Sequence, residues 1–156
     1  LRPLIAILFH NSVVVSGFAC YSCSSPDSHL EPSQILHLKS QPDIFFYSDR
    51  YSLSCNQNLS AQISGTVSID VCDNLNLCAT VQPAFDLAPN ETVVHRGCFS
   101  SLIRHKFRDR KFLHHNGCYL LRSTPLYDKD TDVDYILCVC SGSYCNVEVP
   151  QFNPNL

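Results

Sequence analysis

The sequence predicts a small all-β domain stapled by disulfides, and three observations carry that prediction. Ten cysteines stand in 156 residues, an even and dense count. Reducing compartments rarely hold so many without a metal, whereas secreted domains use bridges to stabilise folds that their own cores cannot. Short runs rich in β-branched and aromatic residues recur between turn-forming Pro, Gly, Asn and Ser, and helix signals are weak throughout. The core is also thin for the length: hydrophobic content is 45%, but this includes the cysteines and an apolar N-terminal run. Bridges make up the difference at about 2–4 kcal/mol each, chiefly by restricting the unfolded chain.

Taken in chain order, residues 4 to 9 (Leu-Ile-Ala-Ile-Leu-Phe) and 13 to 15 (Val-Val-Val) follow one basic residue, Arg2. The run ends at Gly17-Phe18-Ala19, small residues at the positions a signal peptidase reads. This predicts a signal peptide over 1–19, a mature start at Cys20, one domain over 20–146 and a tail over 147–156. His10 and Asn11 interrupt the run and keep a second reading open, a buried N-terminal strand or helix. No stretch reaches the roughly 18 apolar residues that a membrane span needs. Beyond Cys145 the chain passes through Pro150 and Pro154 with no apolar tail. The expected localisation is extracellular: secreted, or anchored at the cell surface where a longer C-terminus carries a lipid signal.

Residues 24 to 54 hold Pro26, Pro32, Pro42 and many serines and read as a long irregular loop, with room for a strand at Ile44-Phe-Phe-Tyr47. Thr66 to Cys72 alternates apolar and polar, placing Val67, Ile69 and Val71 on one face of a strand. Leu77 to Val81 and Val93 to Cys98 read as the arms of a hairpin, with Pro83, Pro89 and Asn90 in the loop between them. Cys118 to Arg122 and Tyr135 to Val139 are two further β-rich runs, each carrying a cysteine.

The order of the cysteines now becomes informative. Cys20-x2-Cys23, Cys72-x5-Cys78, Arg96-Gly97-Cys98 and the closing Cys140-x4-Cys145-Asn146 resemble the three-finger family. That is the lymphocyte-antigen-6 and urokinase-receptor superfamily, related to snake neurotoxins. The resemblance spans residues 20 to 146 and rests on the cysteines and one Asn. It implies a three-finger fold with extended loops, and a structural role for Asn146, whose side chain ties the core together in that family. Ten cysteines allow about nine hundred pairings; the resemblance implies Cys20–Cys78, Cys23–Cys55, Cys72–Cys98, Cys118–Cys138 and Cys140–Cys145. Two departures are visible. Val139 separates Cys138 from Cys140 where members usually have adjacent cysteines, and the Cys23–Cys55 and Cys98–Cys118 intervals are long. Such spacing looks like divergent extracellular modules of invertebrates, particularly nematodes.

Candidate surface features are few. Asn58-Leu-Ser60 and Asn90-Glu-Thr92 are N-glycosylation sequons, each with a hydroxyl two residues on and no intervening proline. Residues 104 to 111 concentrate Arg104, Lys106, Arg108, Arg110 and Lys111, five of the eleven Lys and Arg in the chain. Clustered cations flanked by Phe107 and Phe112 suit sulfated glycans or anionic membrane surfaces, while the plain alternative is a solvated loop. An acidic run, Asp128, Asp130, Asp132 and Asp134, offers intramolecular neutralisation. Its alternate aspartates fail as an EF-hand, because Val133 stands where Gly is needed and Val139 where Glu is needed. Formal net charge of −3 excludes the basic footprint of a nucleic-acid binder.

Catalytic patterns are missing: no nucleophile elbow, no His-Glu-x-x-His, no phosphate loop. A metal reading would use His114 and His115 beside Cys118 and the Cys138-Val139-Cys140 pair, but paired Cys-x2–4-Cys knuckles do not occur there. The expectation is therefore a non-enzymatic module without cofactor or metal. It presents finger loops to an extracellular or cell-surface protein such as a receptor, with polyanion binding through 104–115 as the alternative.

Overall fold

Six strands form one antiparallel sheet in the computed structural model, which describes residues 17–40, 44–46, 50–73, 75–84, 91–122 and 134–150. The strands are β1 (Ala19–Ser24), β2 (Ser68–Val71), β3 (Leu77–Pro83), β4 (His95–Cys98), β5 (Gly117–Arg122) and β6 (Asp134–Ser141). Their order across the sheet is β2-β1-β4-β3-β6-β5, so β2 and β5 are the edges. The chain thus forms a small disulfide-rich all-β fold.

Register sorts the side chains onto two unlike faces. Ala79 lies opposite Val139, Val81 opposite Leu137, Tyr119 opposite Leu137, and Leu121 opposite Tyr135. Cross-strand partners share a face, so these residues make one apolar surface. It is covered by Phe45, Phe99, Ile103, Phe107 and Leu113, all buried. Each such side chain contributes about 1.5–3 kcal/mol by leaving water. On the other face Cys78 lies opposite both Cys98 and Cys140, and Thr80 opposite both Arg96 and Cys138. That face is held by sulfur. The five bridges are Cys20–Cys78, Cys23–Cys55, Cys72–Cys98, Cys118–Cys138 and Cys140–Cys145, and no cysteine is free. Cys20 Sγ lies 3.3 Å from Cys72 Sγ, so two bridges touch in the interior. Covered on both faces, β3 is buried along its whole length.

Several elements differ from the sequence expectation. A helix, α1 (Pro32–Ser40), lies within the segment expected to be irregular. Pro32 takes the first helical position, where its missing N–H costs nothing. The Glu31 N–H donates to Gln34 Oε1 at 2.9 Å, half of a capping box. Leu38 then anchors α1 in the core. Of the strand expected at 44–47, the described residues 44–46 form an isolated bridge, Phe45 to Ile103, and Tyr47 lies outside the described residues. Pro83 is the last residue of β3, opposite Tyr135, and not part of the connecting loop; a strand end tolerates the lost donor. Ile69 and Val71 share a face, but on the edge strand β2 that face is open to solvent.

One turn requires unusual backbone. Gly142 has φ +119 and Tyr144 has φ +62, within the four residues enclosed by Cys140–Cys145. Glycine adopts the first freely. Tyr144 is held by its N–H donating to Ala19 O at 2.8 Å and by its ring 5.4 Å from Tyr21.

Candidate binding surface

The basic segment forms a helical cover over the apolar face. After β4 the chain makes α2 (Phe99–Leu102), α3 (His105–Arg108) and a 3-10 turn over Lys111–His114. Phe99, Leu102, Ile103 and Phe107 recur at helical spacing and point into the core. Charge therefore falls on the remaining positions, and the structure divides the five cations into two sets.

Arg104 and Arg108 are turned onto the protein. The Arg104 guanidinium stacks 3.6 Å from the Phe46 ring centroid, and its Nε donates to Phe45 O at 3.4 Å. Arg108 donates from Nη1 to Ser100 O at 3.2 Å, contacts His105, and lies 3.9 Å from Asp109. Lys106, Arg110 and Lys111 are exposed. Lys106 and Arg110 flank the buried Phe107 ring, at 5.8 and 4.9 Å from its centroid. Between this rim and β5 lies an open cleft of about 560 Å³, lined by Lys106, Arg110, Phe112, Tyr119 and Leu120 among others. Phe112 meets Tyr119 edge-on at 6.0 Å. The acidic run lies outside the described residues, except for Asp134 at the start of β6.

The sulfur face carries two polar clamps that make the base rigid. Asn146, nearly fully buried, accepts from Tyr21 N at 3.1 Å through Oδ1. Its Nδ2 donates to Tyr21 O at 2.9 Å and Ala79 O at 3.3 Å. One side chain thereby joins the closing turn to β1 and β3. Arg96, on β4, is equally buried and donates only to backbone carbonyls: Cys55 at 3.0 Å, Gln57 at 2.8 Å, Glu148 at 3.3 Å, and Asn146. Burial pushes its pKa down to about 10, which leaves it cationic at neutral pH. The carbonyl dipoles take the place of a carboxylate partner and tie the segment around Cys55 to the C-terminal turn. The Arg96-Gly97-Cys98 motif marks the position but not this clamp, because its acceptors lie about 40 and 50 residues away. Beside it, His95 is completely buried with Nδ1 2.7 Å from Ser24 Oγ. Burial drives its pKa down to about 4, opposed in part by the charge of Asp27. The Tyr135 phenol is pushed upward by the same cause.

The remaining candidates separate clearly. Asn58 is exposed, and its Oδ1 accepts from Val149 N at 2.8 Å; Asn90 lies outside the described residues. The sulfurs of Cys20, Cys72 and Cys98 converge within 4.8 Å of one another, but each belongs to a bridge and offers no thiolate. Cys118, Cys138 and Cys140 are bridged likewise, and His114 Nε2 is directed to Arg108 O at 2.6 Å. No helix among the described residues is long and apolar enough to cross a membrane.

A profile of the Caenorhabditis elegans ly-6-related protein family matches residues 33–147. The chain belongs to that family. The Ly-6-related match begins inside α1 and ends one residue past Asn146. It includes eight of the ten cysteines, and the other two, Cys20 and Cys23, are bridged into it through Cys78 and Cys55. No curated protein and no solved structure matches the chain. Ly-6-related membership fits a small extracellular module of the binding type, in a family that is generally non-enzymatic.

Proposed function

We propose that this Ly-6-related protein is a secreted or cell-surface module that presents its finger loops to a protein partner such as a receptor. The observation that carries this reading is the doubly clamped base. Bridges, Arg96 and Asn146 fix β3, β4, β5 and β6, the strands that the segments 84–94 and 123–133 connect in sequence. A fixed support lowers the ordering cost of binding. In this reading residues 1–19 are removed on secretion and Asn58 and Asn90 carry glycans. The Asn58 acceptor is exposed at the protein surface, in keeping with modification.

The test displays the secreted protein to cells and replaces residues 85–90 or 123–133 with Gly-Ser segments of equal length. Loss of cell binding by either variant, with unchanged thermal stability, supports the reading. Binding that survives both replacements refutes it.

A second reading, binding of a polyanion, is favoured by the exposed rim of Lys106, Arg110 and Lys111. It predicts salt-sensitive retention on immobilised heparin, weakened by Arg110→Ala with Lys111→Ala. Arg104 and Arg108, engaged with the protein itself, contribute less. Retention unchanged by the Arg110/Lys111 variant excludes it.

A further inference from the structure

We infer that the cleft between α3 and β5 is a docking face for an anionic bilayer surface, an inference that rests on the polyanion reading and narrows it to one ligand. Cations alone do not distinguish a sulfated glycan from a membrane. The apolar groups beside them do. Phe112 is 53% exposed and Leu120 is 51% exposed, and both line the same cleft as Lys106 and Arg110. Lys111 precedes Phe112 directly and is exposed as well.

The exposure is imposed by the fold. On β5, Tyr119 and Leu121 turn toward the core, so the alternation of the strand sends Leu120 outward. In the 3-10 turn, Leu113 is buried while Phe112 stays at the surface, its ring supported by Tyr119 at 6.0 Å. The Tyr119 hydroxyl donates to His115 O at 2.9 Å, which fixes that support. Two large apolar groups are thus held in water at the rim of the cleft, Phe112 on the cover above Tyr119 and Leu120 on the face of the edge strand that also carries Cys118.

A sulfated glycan satisfies the cations and leaves Phe112 and Leu120 hydrated. A bilayer interface takes both: headgroup phosphates meet Lys106, Arg110 and Lys111, while Phe112 and Leu120 enter the boundary with the acyl chains. Among the described residues, Asp109 beside this patch lies 3.9 Å from Arg108 Nε. Since the whole chain is net negative at −3, attraction to an anionic surface acts through this patch and orients the molecule.

The experiment is vesicle co-sedimentation of the full secreted chain, using phosphatidylcholine vesicles with and without phosphatidylserine, beside retention on immobilised heparin. Binding is expected only with phosphatidylserine, and to fall as salt rises. Arg110→Ala with Lys111→Ala should weaken it about 30-fold. Phe112→Ser with Leu120→Ser should abolish vesicle binding and leave heparin retention in place. Leu53→Ser, a change at an 80% exposed apolar residue outside the cleft, should alter neither. Heparin retention without vesicle binding overturns the bilayer inference and leaves the polyanion reading standing; loss of both overturns both. Equal binding to neutral vesicles, or vesicle binding untouched by the Phe112/Leu120 variant, also overturns the inference.

Discussion

Acidification from pH 6.5 toward 4 should destabilise the folded chain through one residue, His95. Its ring is completely buried, 4.7 Å from Phe45, with Nδ1 against Ser24 Oγ. Burial holds its folded pKa at about 4 against an ordinary 6.5, despite the opposing charge of Asp27. In the unfolded chain the imidazole takes a proton as pH falls through 6.5; in the folded chain it resists until about 4. Between those limits the unfolded state binds more protons, so the stability present above 6.5 is lost as pH falls. At about 1.36 kcal/mol per pH unit, the full interval amounts to about 3.4 kcal/mol, and about 2 kcal/mol is gone by about pH 5. That is a sizeable part of a typical folding free energy. The window from 6.5 to about 5 is the informative one, because carboxylates titrate mostly below it. The assay is guanidinium denaturation across this window with all bridges intact, comparing the native sequence with His95→Gln. The native protein should lose about 2 kcal/mol and His95→Gln should be nearly flat, whatever its absolute stability. A flat native curve, or a His95→Gln variant with the same slope, would refute the reasoning.

Other perturbations test the two clamps and the staples. Arg96→Leu removes the donors to four carbonyls and should cost about 3–5 kcal/mol by chemical denaturation; Arg96→Lys should not restore it, since an ammonium cannot span those acceptors. Asn146→Ala should cost about 1–3 kcal/mol, read as a lower denaturation midpoint, because Tyr21 and Ala79 lose buried partners. Removing Cys20–Cys78, which spans 58 residues, should cost about 4 kcal/mol, against about 2 kcal/mol for Cys140–Cys145, which spans 5. Equal losses from the two double-alanine variants would show that loop closure does not set the contribution of these bridges.

What the sequence made legible follows the range of each interaction. β5 and β6 were readable because β-rich runs carry Cys118 and Cys138 at positions that face each other in the sheet. The β3–β4 hairpin was readable for the same local reason. α1 was obscured by its Pro- and Ser-rich setting, although Pro32 at the first turn and Gln34 three residues past Glu31 are its signals. The helical cover at 99–107 was hidden in another way. Its cations are conspicuous, while the apolar spacing of Phe99, Leu102, Ile103 and Phe107 that folds it is not. Arg96 and His95 could not be read as buried at all, because the groups that enclose them come from distant segments and leave no periodic trace.

The division of the basic segment follows from this difference in range. Helices of four residues are far too short to persist alone, since nucleation fixes several dihedrals for each first hydrogen bond. The cover therefore keeps its shape only by packing Phe99, Ile103, Phe107 and Leu113 onto the apolar face of the sheet. That packing sets the rotation of each turn, and the rotation decides which cations reach water. Arg104 and Arg108 fall on the side that returns to Phe45, Phe46 and Ser100. Lys106, Arg110 and Lys111 fall on the side that faces out. A count of five basic residues in eight treats the cations alike; the core beneath separates them into structural and presenting groups. In this stapled sheet the charge pattern of the surface is a consequence of the apolar pattern below it.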